Sequence, residues 1–236
     1  MINLIKNFND NEADKLKTII IAVHGFSSSK NSFINRKLAP ILKDNNIGLV
    51  CFDLPGHGDR KTELLTVDAC LKSIKEVEDN VRKIYHGPIS LTGKSFGGFL
   101  LLRYLENNSN LYLKTILMAP ALEQVKIWKY NEDEEGSKLI MSLEEGKNFV
   151  RDGMEVDVSV LNDFFKFDIF NHLNIENDVK LVYGTQDITV SNDNIIKLSQ
   201  IKNWDIYAVD GADHFYRRDE DVKNVADLFL KIINEK

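Results

Sequence analysis

Ile89-Ser-Leu-Thr-Gly93-Lys94-Ser95-Phe96-Gly97-Gly98-Phe99-Leu100-Leu101-Leu102 is the stretch on which the fold turns. It opens as the short apolar run of a strand, Ile89–Thr92. It then bends through glycines around one serine and continues with helical spacing over Phe96–Glu106. A serine on a sharp strand-to-helix turn takes up a strained backbone, and close packing there excludes side chains at the flanking positions. That geometry lifts the hydroxyl above the sheet edge. It also aims the first amides of the helix at any negative charge forming beside the serine. A glycine-rich turn with a capping serine is the plainer reading. The strand–turn–helix context favours Ser95 as a nucleophile.

Outward from this turn the same alternation repeats. Thr18–Val23, Ile47–Phe52, Thr115–Met118, Val179–Tyr183 and Ile206–Val209 read as strands. Most lack strict polar alternation, as expected of a parallel sheet covered on both faces. Asn31–Asp44, Thr66–Tyr85, Asp193–Ile201 and Asp219–Ile233 have helical spacing between them. In the last, Val222, Val225, Ala226, Phe229 and Ile233 fall on one face. The expected class is α/β, a doubly wound and mostly parallel sheet. The rhythm breaks from Pro120 to about Asn177, where no convincing strand is seen. This helical excursion, with the acidic run Glu132–Glu135, is expected to be a cap over the site. Residues 1–119 and 178–236 then form the core domain, and 120–177 the cap or lid insertion.

Composition narrows the function classes. With 236 residues, 43% of them hydrophobic and 28% charged, the chain suits one large domain with a real core. A formal charge of −6 argues against a nucleic-acid footprint. No apolar run approaches the roughly 18–20 residues of a membrane span, and Met1–Asn7 lacks the pattern of a signal peptide. A cytoplasmic protein is therefore expected. Cys51 and Cys70 are expected to be reduced thiols, and two cysteines without clustered histidines make a zinc site unpromising. Whether the chain pairs as a homodimer is left open.

A serine hydroxyl is a poor nucleophile near neutral pH until a base takes its proton. His214, in Gly211-Ala-Asp-His-Phe215, follows the last strand, where an open α/β sheet builds its site. It is the expected base. His86 precedes Gly87-Pro88 and reads as a surface cap, and His172 as a weak pocket candidate. Asp187, in Gly184-Thr-Gln-Asp187, follows a strand and is the expected partner of the base. Asp213, Asp210 and Asp163 compete less well. The backbone amides of Phe26, in His24-Gly25-Phe26, and of Phe96 are the expected oxyanion donors. His24 is expected to serve that turn structurally.

Four motifs in order, His24-Gly25-Phe26, Asp53-Leu-Pro-Gly-His-Gly58, Gly93–Gly98 and the Gly184–Asp187/Gly211–His214 pair, resemble the α/β-hydrolase superfamily across essentially the whole chain. Within it the chain is most similar to small bacterial cinnamoyl/feruloyl esterases and monoacylglycerol lipase-type serine esterases. The resemblance implies a serine carboxylesterase acting through an acyl-enzyme on a small acyl or aryl ester, without metal or organic cofactor. It also implies a pocket to which His24, Gly25, Trp128, Tyr130, Phe164, Phe165, Phe167 and His172 are candidate contributors. Two departures stand out. The opening hairpin of the fold is expected to shrink to one strand near Ile2–Lys6, and Lys94 stands beside the nucleophile, expected to point away from the pocket. Amide or thioester hydrolysis, a lyase reaction on the same triad, and a non-catalytic binding protein are the alternatives. A peptidase would be expected to carry an acidic anchor for a substrate amine near the cap, and Glu132–Glu135 offers a weak match to that.

Overall fold

The computed structural model describes residues 2–235 except 109–110, 131–133, 152, 168 and 172, and omits the side chains of 128–130, 134–137, 139 and 151. β1 (Leu4–Lys6), β2 (Thr18–Val23), β3 (Ile47–Phe52), β4 (Ile89–Lys94), β5 (Thr115–Met118), β8 (Val179–Gly184) and β9 (Asp205–Val209) build a seven-stranded sheet in the order β1-β3-β2-β4-β5-β8-β9. Only β1 is antiparallel, pairing Leu4 with Phe52 and Lys6 with Val50. Among the described residues β1 is the one strand ahead of β2, as expected near Ile2–Lys6.

Every residue of β2 and β3 is buried, which requires cover on both faces. The cover comes from α1 (Phe33–Asp44), α2 (Val67–Arg82), α3 (Phe96–Leu105), α7 (Asn192–Lys202) and α8 (Asp219–Asn234). α1 packs with α8, and α2 with α3. Local chemistry sets the helix starts. The side chains of Ser32, Thr66 and Ser191 accept the amides of Asn35, Ala69 and Asn194, satisfying donors that the first turn leaves unpaired. Cys51 and Cys70 are buried and unbridged, and burial pushes both thiols up to about 12.

Between β5 and β8 lie α4 (Gln124–Tyr130), α5 (Glu134–Glu144), β6 (Phe149–Arg151), β7 (Met154–Val156) and α6 (Ser159–Lys166). The segment is mainly helical, but it also contains an antiparallel ribbon, pairing Phe149 with Val156. This corrects the reading that it holds no strand. Gly153, at φ +79°, makes the turn. The ribbon is tied to the core: Leu65 N–H donates to Glu155 O (2.8 Å) and Asp157 N–H to Leu65 O (2.9 Å). Phe164 of α6 packs on the rings of Phe96 and Phe99, with centroids 6.4 and 5.5 Å apart. Among the described residues no helix is long and apolar enough to cross a membrane.

Candidate active site

Ser95 sits between β4 and α3 with φ +53° and ψ −117°, a conformation that L-residues hold only when packing imposes it. The packing is visible in the flanking glycines. A Cβ on Gly97 would stand 2.2 Å from Val23 O, and one on Gly93 would stand 2.5 Å from Gly97 O. Helix α3 is therefore pressed against β2 and β4 more closely than any side chain allows. Hydrogen bonds fix the turn from the other side: Ser95 N–H donates to Met118 O (3.0 Å) and Ala121 N–H to Ser95 O (3.1 Å).

His214 and Asp187 leave the ends of the neighbouring strands β9 and β8. His214 Nδ1 lies 2.7 Å from Asp187 Oδ2. A carboxylate only accepts, so Nδ1 carries the proton and Nε2 is the basic nitrogen. Asp187 is itself oriented, its Oδ1 accepting the amides of Thr189 (2.8 Å) and Val190 (3.1 Å). Burial is the main influence on His214 and lowers its pKa. The Asp187 bond opposes the shift and the Lys94 charge reinforces it, leaving the imidazole below its ordinary value. Asp213, the adjacent carboxylate, turns away to accept the amides of Phe215 and Tyr216. Asp210 accepts the Thr185 hydroxyl, and Asp163 lies in α6. The exposed His86 meets Asp14.

The turn after β2 is built by two buried histidines. His24 donates from Nδ1 to Gly25 O (2.8 Å) and accepts Leu54 N–H at Nε2 (3.1 Å). His57 donates to Pro55 O (2.9 Å) and accepts Ser27 N–H (3.1 Å). Each imidazole is thereby held neutral, and burial drives His24 down to about 3. Beside them Lys30 Nζ meets Asp53 Oδ2 at 2.6 Å. Burial acts to raise the Asp53 carboxyl, but the Lys30 ammonium and the amides of Lys30 and Asp59 outweigh it and hold it below the usual range.

Ser95, His214, His24, Gly25, Phe26 and Phe96 line one cavity of about 500 Å³. Gly25 keeps the turn close to the serine, since a Cβ there would sit a tight 3.3 Å from that of Ser95. The other candidates from sequence fare differently. Phe164 packs on α3, Phe165 is 61% exposed, and Phe167 meets Phe99 edge-on; none of the three is in the lining. The Trp128 and Tyr130 side chains and all of His172 lie outside the described residues. Contributors that sequence reasoning missed are Gln124 and Ile127 of α4, and an inner apolar end formed by Ile34, Leu38, Leu49 and Phe229. Lys94 lines the cavity too, against the expectation that it points away. Its Nζ lies 5.1 Å from the Phe215 ring centroid.

Comparison with known proteins bears on the fold and the family. A family profile described as Hydrolase_4, serine aminopeptidase S33, matches residues 14–146. The chain is 28% identical over 142 residues to protein phosphatase methylesterase 1 of Candida albicans, covering 55% of this chain and 39% of that one. It is 31% identical over 109 residues to the monoacylglycerol lipase ABHD6 of Bos taurus, covering 44% and 31%. The matches thus span less than half the length of these two relatives. Est1E from Butyrivibrio proteoclasticus, solved with ferulic acid bound, superposes with a TM-score of 0.78 at 17% identity, covering 99% of this chain and 96% of that one. The Paleococcus ferrophilus monoacylglycerol lipase does so with 0.69 at 19%, covering 99% and 98%. These two structures share the fold. With the profile matching more than half of its residues, the chain belongs to the serine aminopeptidase S33 (Hydrolase_4) family of α/β-hydrolases.

Proposed function

We propose that the protein is a serine carboxylic ester hydrolase in which Ser95 is the nucleophile, His214 the general base and Asp187 the residue that orients the base. The observation that carries this reading is a strained serine at the mouth of α3 sharing one cavity with an imidazole whose Nδ1 is held by a buried carboxylate. Ser95 Oγ attacks the ester carbonyl while His214 Nε2 takes its proton. The oxyanion is held by the amides of Phe26 and Phe96, the latter at the first position of a helix and so without a partner inside it. One such donor is typically worth about 3–4 kcal/mol. His214 then protonates the leaving alcohol, the acyl-enzyme remains, and a water activated by the same imidazole releases the acid.

A small acyl or aryl ester suits a cavity of this size. Residues 120–177 act as the cap, with α4 contributing Gln124 and Ile127 to the lining. An ester is favoured over a peptide because no Asp or Glu is among the described residues lining the cavity; the side chains of Glu132–Glu135, the acidic run that could anchor a substrate amine, lie outside the described residues. The test is turnover of p-nitrophenyl acetate, butyrate and octanoate, methyl ferulate and a monoacylglycerol by wild type and Ser95→Ala. Turnover abolished by the substitution is expected. Turnover that survives it, or none by folded wild type, removes the assignment.

A further inference from the structure

The two ends of the cavity differ in chemistry. The inner end is apolar, formed by Leu38, Leu49 and Phe229. At the outer end two cations converge on one aromatic ring. Lys94 Nζ stands 5.1 Å and the Arg217 guanidinium carbon 4.2 Å from the Phe215 centroid. Among the described residues neither cation is in an ion pair, and the nearby carboxylates are engaged elsewhere: Asp187 with His214 and two amides, Asp213 with the amides of Phe215 and Tyr216. Two like charges repel, and Lys94 is half-buried, so its solvation is incomplete. Burial is the main influence that lowers its pKa, to about 8, with Arg217 adding to the fall and Asp187 and Asp213 opposing it. An anion in the cavity that Lys94 and Arg217 both line would offset the charge of each and the lost solvation.

The position of the pair within the reaction says which part of a substrate it meets. A base that protonates the leaving oxygen must have the leaving group on its own side. Phe215 and Arg217 follow His214 in the chain, and the Phe215 ring lies edge-on to the imidazole at 5.4 Å. We propose that Lys94, together with Arg217, selects esters whose leaving alcohol carries an anionic group, a carboxylate or a phosphate. This rests on the ester-hydrolase reading of Ser95.

Three esters with a common butanoyl group test it: 4-(butanoyloxy)benzoate, its neutral methyl ester, and 4-(butanoyloxy)phenyl phosphate. The readout is the ratio of kcat/KM for each anionic ester to that for the neutral one, in wild type, Lys94→Met, Lys94→Arg and Arg217→Gln. Comparing variants cancels the intrinsic reactivity of each ester. Lys94→Met is expected to lower the ratio about tenfold, between the few-fold effect of an exposed charge pair and the larger effect of a desolvated one. Lys94→Arg should recover most of it. Arg217→Gln, at an exposed position where the fold tolerates the change, should lower it by about threefold. Whichever anionic ester loses more identifies carboxylate or phosphate. A ratio that moves less than twofold in both Lys94→Met and Arg217→Gln overturns the proposal and leaves the hydrolase reading intact. No turnover of any of the three esters refutes the hydrolase reading instead. Equilibrium titration with 4-hydroxybenzoate then decides: saturable binding weakened about tenfold by Lys94→Met supports the anion site, and binding that is absent or unchanged overturns it.

Discussion

Asp187→Asn separates orientation of the base from stability of the site. The carboxylate accepts three donors, His214 Nδ1 at 2.7 Å on Oδ2 and the amides of Thr189 and Val190 at 2.8 and 3.1 Å on Oδ1. An asparagine has one accepting oxygen and must choose. Facing the oxygen to His214 would set its NH₂ against two buried amides, each left unsatisfied at about 1–3 kcal/mol. Facing the oxygen to the amides keeps two bonds and presents NH₂ to Nδ1. The second arrangement wins. His214 must then accept at Nδ1 and carry its proton on Nε2, where it cannot take one from Ser95. The expected loss in kcat is roughly 10⁴-fold, about 5.4 kcal/mol of barrier. Because the amide bonds survive, stability should fall by only about 1 kcal/mol, a Tm shift of roughly 2–4 °C. Asp187→Ala, which strands both amides, should shift Tm further. The assay is ester turnover at neutral pH beside a thermal unfolding curve for each variant. A folded Asp187→Asn enzyme retaining kcat within tenfold of wild type would refute the orienting role.

Other consequences can be checked independently. The activity–pH curve should rise with an apparent pKa below 6.5, because only the neutral imidazole accepts a proton and burial holds His214 below its ordinary value; a midpoint at or above 6.5 contradicts this. Stability should also fall in acid. Below pH 6.5 the unfolded chain protonates His24 while the folded chain, with that group at about 3, does not, so unfolding gains about 1.4 kcal/mol per pH unit between those values. Denaturant titrations at pH 7 and 5 on wild type and His24→Gln would show whether the slope resides there. Ser95→Gly should abolish activity yet stabilise the fold by about 1 kcal/mol, since glycine accepts φ +53° without strain; a lowered Tm would argue against strain at the turn. Lys30→Met should cost about 3–5 kcal/mol by stranding the buried Asp53 carboxylate, read as a reduced denaturant midpoint with an unchanged m-value.

The strands were legible because their chemistry is local. Thr18–Val23, Ile47–Phe52 and Thr115–Met118 are β-branched or apolar runs closed by turn residues, and they are strands over those same bounds. The turn around Ser95 was legible because its glycines answer to one steric demand. The ribbon was not, since Phe149–Arg151 and Met154–Val156 are too short and too mixed to show alternation. Asp152-Gly153 between them is a hairpin signal that could have revealed it. The pocket was the least legible part. Phe164 and Phe167 have the composition of a pocket wall, yet they bind the insertion to α3. The inner end of the cavity instead draws on α1, β3 and α8, elements that only tertiary packing brings together. Lys94 was misjudged because position along a strand does not report where a long side chain ends.

The sheet order has a consequence for how the chain is made. β1 to β5 and the strained serine lie in the first 118 residues, whereas β8 and β9, which lead to Asp187 and His214, pair onto the far side of β5 only after residues 120–177. At about 5–20 residues per second, a ribosome needs roughly 3–12 s to synthesise residues 120–177. From the emergence of β5 to that of β8, an interval of the same length, the nascent chain presents Thr115-Ile-Leu-Met118 as an unpaired apolar edge, open to pairing with another chain. Translation speed through residues 120–177 therefore sets how long each new molecule is exposed to aggregation.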